Sequence, residues 1–68
     1  MSNSKSRTLR EERGLSIVAL SHEIKVNPTV LSLAERRRLV PSKRVREAVS
    51  GFFKVSENQL FGSDGLAI

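Results

Sequence analysis

Residues 16–36 read SIVALSHEIKVNPTVLSLAER, and this stretch decides the fold. Its first half places Ile17, Leu20, Ser21 and Ile24 at i, i+3, i+4 and i+7, the spacing of one helix face, with Ser16 ahead of them as an N-cap. The second half opens on Asn27-Pro28. Asparagine accepts from the free amides of a first turn, and proline at the first helical position has a suitable fixed φ and no amide to satisfy. A helix is therefore predicted from Pro28 to about Arg36, with Leu31 and Ala34 on its core side.

Only Lys25 to Asn27 separate these two short helices, which is too little chain for a long antiparallel overlap. The spacing predicts helices that cross steeply, as in a helix-turn-helix. Leu20, Ile24, Val26, Leu31 and Ala34 then fill the angle between them, and Ser21 sits where the helices come closest and a small side chain is needed.

Outward from this unit the pattern stays helical. A first helix is expected from about Ser4 or Ser6 to Arg13, ended by Gly14, with Leu9 as its clearest core residue. The segment from Arg37 to Pro41 is expected to be a loop, because proline biases the residue before it away from helix. Ser42 then caps a fourth helix with an apolar face of Val45, Ala48, Val49, Phe52 and Phe53, and Ser56 caps a short last one carrying Leu60 and Phe61 before Gly62. No run of alternating apolar residues is long enough for a strand. The fold class is all-α: a compact bundle of four to five short helices. Residues 1–7 read as a flexible basic arm, 8–62 as the folded domain and 63–68 as a tail.

Composition narrows the function. A chain of 68 residues forms one small domain, and without cysteine and with only His22 it has neither a disulfide framework nor the ligands for a metal site. No cofactor is expected. Twelve Lys and Arg against seven Asp and Glu give a net charge of +5, which favours a polyanionic partner. Arg36, Arg37, Arg38, Lys43, Arg44 and Arg46 place six of those positive charges within eleven residues that contain no acid.

A membrane surface is the weaker choice of polyanion, since Pro41 interrupts the basic segment and no long amphipathic face with aromatic anchors accompanies it. The longest aliphatic run, Ile17 to Leu20, is too short to span a bilayer, and residues 1–7 carry no apolar stretch of a secretory signal, so a cytoplasmic location is expected. Enzymatic chemistry is disfavoured: no nucleophile and base stand at a recognisable spacing, there is no glycine-rich phosphate loop, and His22 beside Glu23 reads as a solvent residue.

One ordered series of residues is more specific than any single motif. It runs Leu9-Arg10, Arg13-Gly14-Leu15-Ser16, Leu20-Ser21, Ile24, Val26, Leu31-Ser32, Ala34-Glu35, Pro41-Ser42, Val55-Ser56 and Leu60. Over Thr8 to Gly62 this resembles the Cro and phage-repressor (XRE-like) type of helix-turn-helix regulators. The resemblance implies a lambda-repressor-like DNA-binding domain that inserts its third helix in the major groove of double-stranded DNA to regulate transcription, most simply as a repressor.

Carried onto this sequence, the resemblance assigns base reading to Asn27, Pro28, Thr29, Ser32 and Leu33. Phosphate binding falls to Arg36, Arg37, Arg38, Lys43 and Arg44, and an orienting ion pair to Arg10 and Glu35. Polar side chains among the first group suit base edges, and Leu33 and the Thr29 methyl suit a thymine methyl. The pattern departs from the family in three places: Lys25 stands where glycine is usual, Ile17 where a polar residue commonly faces DNA, and Arg46 where an apolar residue is common.

So short a reading helix implies a homodimer on an approximately palindromic operator, with Leu60, Phe61, Leu66 and Ile68 as the expected contact. There is no room for a separate ligand-sensing domain, so no small-molecule ligand is expected. The alternative within the same fold is an antitoxin-type DNA-binding protein that also holds a partner toxin, with Val18, Val30 and Leu33 as apolar contacts.

Overall fold

The computed structural model describes residues 3–68; Met1 and Ser2 of the expected arm lie outside them. Among the described residues five helices follow in order: α1 Lys5–Glu12, α2 Ile17–Ile24, α3 Pro28–Glu35, α4 Lys43–Phe53 and α5 Glu57–Leu60. There are no strands among them, and none of the helices is long and apolar enough to cross a membrane.

Local chemistry sets where the helices begin. The Ser4 hydroxyl accepts from the Arg7 amide, Ser16 from Ala19, Asn27 from Thr29 and Val30, and Ser42 from Val45. Each cap occupies one of the amides that a helix start leaves unpaired, and Asn27 two, worth about 1 kcal/mol per cap. The ends are set by left-handed residues: Gly14 at φ +69°, and Lys25 and Lys54 at φ 56° and 58° as the C-caps of α2 and α4. Lys25 thus takes the conformation that glycine would hold more cheaply.

The core is built from Leu20, Val26, Leu31, Val45, Val49, Phe53, Leu60, Phe61 and Ala67, with Leu9, Leu15, Ile17, Ile24 and Ala48 packed on it from partly exposed positions. Arg46 does not displace this packing. Val45 and Val49 stay buried, and the half-buried Arg46 gives Nη1 to the Pro41 carbonyl at 2.6 Å and Nε to Glu57 at 3.4 Å.

Two domain boundaries differ from the sequence expectation. The helix expected from about Ser4 or Ser6 starts at Lys5 with Ser4 as its cap, so residues 4–7 are the cap and first turn of α1 and not part of a flexible arm; Ser4 and Ser6 are buried and hydrogen-bonded to each other. Residues 63–68 are part of the folded unit. Phe61 and Ala67 form an antiparallel bridge, the Ile68 amide donates to the Leu60 carbonyl at 3.0 Å, and the Lys5 amide donates to the Ile68 oxygen at 2.7 Å. The polypeptide returns to the start of α1, so the folded unit extends beyond 8–62 at both ends.

This return also corrects the expected dimer contact. Leu60 and Phe61 are 1% and 4% exposed, consumed by the chain's own core, and Leu66 is half-buried. Of the four residues only Ile68 presents substantial surface, at 40%.

Candidate nucleic-acid interface

The α2–α3 unit is held from beneath. Leu20, Ser21, Val26, Leu31 and Ala34 are buried, and half-buried Ile24 packs against the same cluster. The Ser21 hydroxyl donates to the Val18 carbonyl at 2.7 Å, so this buried polar side chain is not left unpaired.

A second fixing point lies under the C-terminal end of α3. Arg10 reaches from α1 to Glu35 with Nε–Oε2 at 2.7 Å and Nη2–Oε1 at 3.2 Å, a fork against a fork, and its Nη1 donates to the Leu15 carbonyl at 2.6 Å. The two side chains are 10% and 5% exposed. Charge-assisted bidentate pairs carry geometric specificity as well as energy, so this one ties the orientation of α3 to α1.

Held this way, α3 turns a polar end to solvent. Asn27, Pro28 and Thr29 are exposed, while Ser32 and Leu33 are half-buried further along. In the free protein Asn27 is not idle: its Oδ1 accepts from the Thr29 amide at 2.8 Å and the Val30 amide at 3.4 Å, which leaves its amide nitrogen as the group available to a ligand. The Ile17 side chain packs against the core, so α2 begins with an apolar residue turned inward.

The cations gather beyond the other end of α3 and at the start of α4. Arg36, Arg37, Arg38, Lys43 and Arg44 are all exposed. Arg36 is the C-cap of α3 and leans back to the Ser32 carbonyl at 3.4 Å. Arg37 has φ +60° and gives its Nε to the Ala67 carbonyl at 2.9 Å, so this guanidinium is fastened to the returning chain end. Lys43 and Arg44 occupy the first two positions of α4, where the helix dipole disfavours positive charge by about 0.3–1 kcal/mol each. None of α1 to α4 has an acid in its first turn, where acids normally accumulate. That distribution costs stability in the isolated protein and suits an anion in front of the helix ends.

Several features were outside the reach of sequence reasoning. The Arg37–Ala67 bond joins residues thirty apart, and Arg13 stacks over the Phe52 and Phe53 rings at 5.4 and 5.0 Å, pinning the end of α1 to α4. Neither pairing leaves a periodic signal. Val30 packs on the core and Leu33 is half-buried, so of the apolar residues weighed as a partner-protein contact only Val18 is exposed, at 55%. A single exposed valine is ordinary surface.

The chain matches no protein-family model, and comparison with curated proteins and with solved structures finds no match.

Proposed function

We propose that this protein is a sequence-specific double-stranded DNA-binding regulator of the Cro and phage-repressor type, with α2 and α3 as its helix-turn-helix and α3 in the major groove. The observation that carries the reading is the division of α3: an exposed polar start at Asn27, Pro28 and Thr29, a buried Leu31 and Ala34 beneath, and exposed Arg36, Arg37 and Arg38 directly after its last residue, with exposed Lys43 and Arg44 opening α4. Base edges are then met by Asn27, Pro28, Thr29, Ser32 and Leu33. Strand phosphates are met by Arg36, Arg38, Lys43 and Arg44, together with Arg37 from its fastened position. The Arg10–Glu35 pair orients the reading helix.

The protein acts as a homodimer on an approximately palindromic operator. With extents of 27 × 25 × 22 Å, one domain is shorter than the roughly 34 Å that separates successive major grooves on one face of the duplex. Two domains side by side reach both. Repression by occupancy is the simplest regulatory outcome, in the cytoplasm where the DNA lies.

Selection of bound duplexes from a random library, followed by anisotropy titrations over a salt series, tests the reading. A dimer that neutralises six to ten phosphates loses about three to five decades of affinity between 50 and 200 mM salt. Arg36→Ala or Arg38→Ala weakens binding to all duplexes alike, whereas Thr29→Ala or Ser32→Ala changes the preferred bases by about 1–3 kcal/mol. Failure to enrich any sequence, or a flat salt response, refutes it.

A further inference from the structure

A cleft of about 530 Å³ opens between the start of α1 and the segment that follows α3. Ser4 and Arg7 form one wall, and Glu35, Arg36, Arg37 and Arg38 form the other. The sequence separates Arg7 from the arginine run by almost thirty residues, so only the fold creates this enclosure.

The electrostatics are one-sided. Four arginines are among the residues that line the cleft, and its one acid among the described residues, Glu35, is already neutralised by the bidentate Arg10. Glu11 takes Nε of Arg7 at 3.3 Å, but that pair is 42% and 47% exposed and contributes little. The Arg38 side chain has no ion-pair or hydrogen-bond partner among the described residues. Crowding like charges around a concave surface focuses the positive potential, and an anion placed there relieves the repulsion. Planar guanidinium forks match phosphate oxygens bidentately. The Arg37–Ala67 bond and the left-handed backbone at Arg37 hold one wall in place before any ligand arrives.

The geometry points to a phosphate-binding cleft in which Arg7 acts together with Arg36, Arg37 and Arg38. Its occupant is a phosphate group, either from a duplex strand or from a small phosphorylated molecule. Only the first source rests on the DNA-binding reading; the second is independent of it.

The test uses the full chain and two probes. Inorganic pyrophosphate titrated into isotope-labelled protein should shift amides of residues 3–7 and 35–38 saturably, and Arg7→Ala should weaken that binding about tenfold, the loss of one charge-assisted contact. Glu11→Ala, which releases Arg7, should strengthen it. With a selected duplex, Arg7→Ala lowers the slope of log affinity against log salt by about one if a strand phosphate sits in the cleft, and leaves it unchanged if the occupant is a small molecule. Both results support the cleft. Pyrophosphate shifts that spread over the whole basic surface without saturating, combined with an unchanged duplex slope in Arg7→Ala, overturn it while DNA binding through Arg36 and Arg38 stands. Saturable pyrophosphate binding by a protein that selects no duplex upholds the cleft and refutes the DNA reading. Arg7 and Glu11 are on the exposed side of α1, so both variants keep the fold, and thermal melting verifies it.

Discussion

Replacing Glu35 by alanine leaves the Arg10 guanidinium inside the domain with the Leu15 carbonyl as its remaining partner. With the two side chains only 10% and 5% exposed, water does not replace the lost carboxylate, and stranding one partner of a buried pair costs about 3–5 kcal/mol. A domain of this length has a total stability of roughly 3–10 kcal/mol at about 0.05–0.15 kcal/mol per residue. Glu35→Ala therefore removes between about a third of that stability and all of it. The double variant Arg10→Met/Glu35→Leu removes both charges together and should be near neutral, since the desolvation cost disappears with the attraction. An exposed reference lies on the same helix: Glu11→Ala breaks the Arg7–Glu11 pair, at 42% and 47% exposure, and should cost about 0.5 kcal/mol or less. Urea unfolding followed by far-ultraviolet circular dichroism at low and high salt measures all three. A loss below about 1 kcal/mol for Glu35→Ala, or one that fades with salt as the exposed pair's does, refutes the assignment of Arg10–Glu35 as the buried strut of α3.

Asn27→Asp keeps the cap acceptor for the Thr29 and Val30 amides, so stability stays within about 0.5 kcal/mol, but it replaces the amide donor with a charge that repels a phosphate backbone; duplex binding should be lost while the melting curve is unchanged. Lys25→Gly relieves a left-handed backbone at φ 56° and should add about 1 kcal/mol, read as a rise of about 4–8 °C in Tm. The glycines separate by environment. Gly65→Ala forces a Cβ to 2.7 Å from Val40 Cγ1 at φ +87° and should cost about 2 kcal/mol, whereas Gly51→Ala, inside α4 with nothing within 4 Å, should stabilise by about 0.5–1 kcal/mol; equal effects in a urea titration would contradict the packing of the returning chain end.

The amino-acid sequence by itself determined where the helices begin and which face of each is buried. Ser16, Asn27 and Ser42 act on amides two or three residues ahead, and Leu20, Leu31, Val45 and Val49 reach the core because helical periodicity puts them on one side. These are short-range effects, legible from spacing. The exposed start of α3 was legible for the same reason, since Asn27-Pro28 fixes both the cap and the first turn.

Tertiary structure alone decided the attachment of residues 63–68, the docking of the start of α1 and the shape of the basic surface. The cap at Ser4 was legible, but residues 63–68 look unattached because glycines and scattered apolar residues carry no periodic signal. In the fold Ser4 is buried, Ala67 bridges to Phe61, and the Ile68 oxygen meets the Lys5 amide, contacts that reward closing almost the entire chain into one loop. The same closure converts Leu60 and Phe61 from candidate surface into core and fastens Arg37 to Ala67. It also sets Arg7 across a cleft from Arg36 and Arg38. A run of arginines announces its charge in the sequence; which of its members are tethered, and which distant residue faces them, depends on backbone returning from far along the chain, where no local preference reaches.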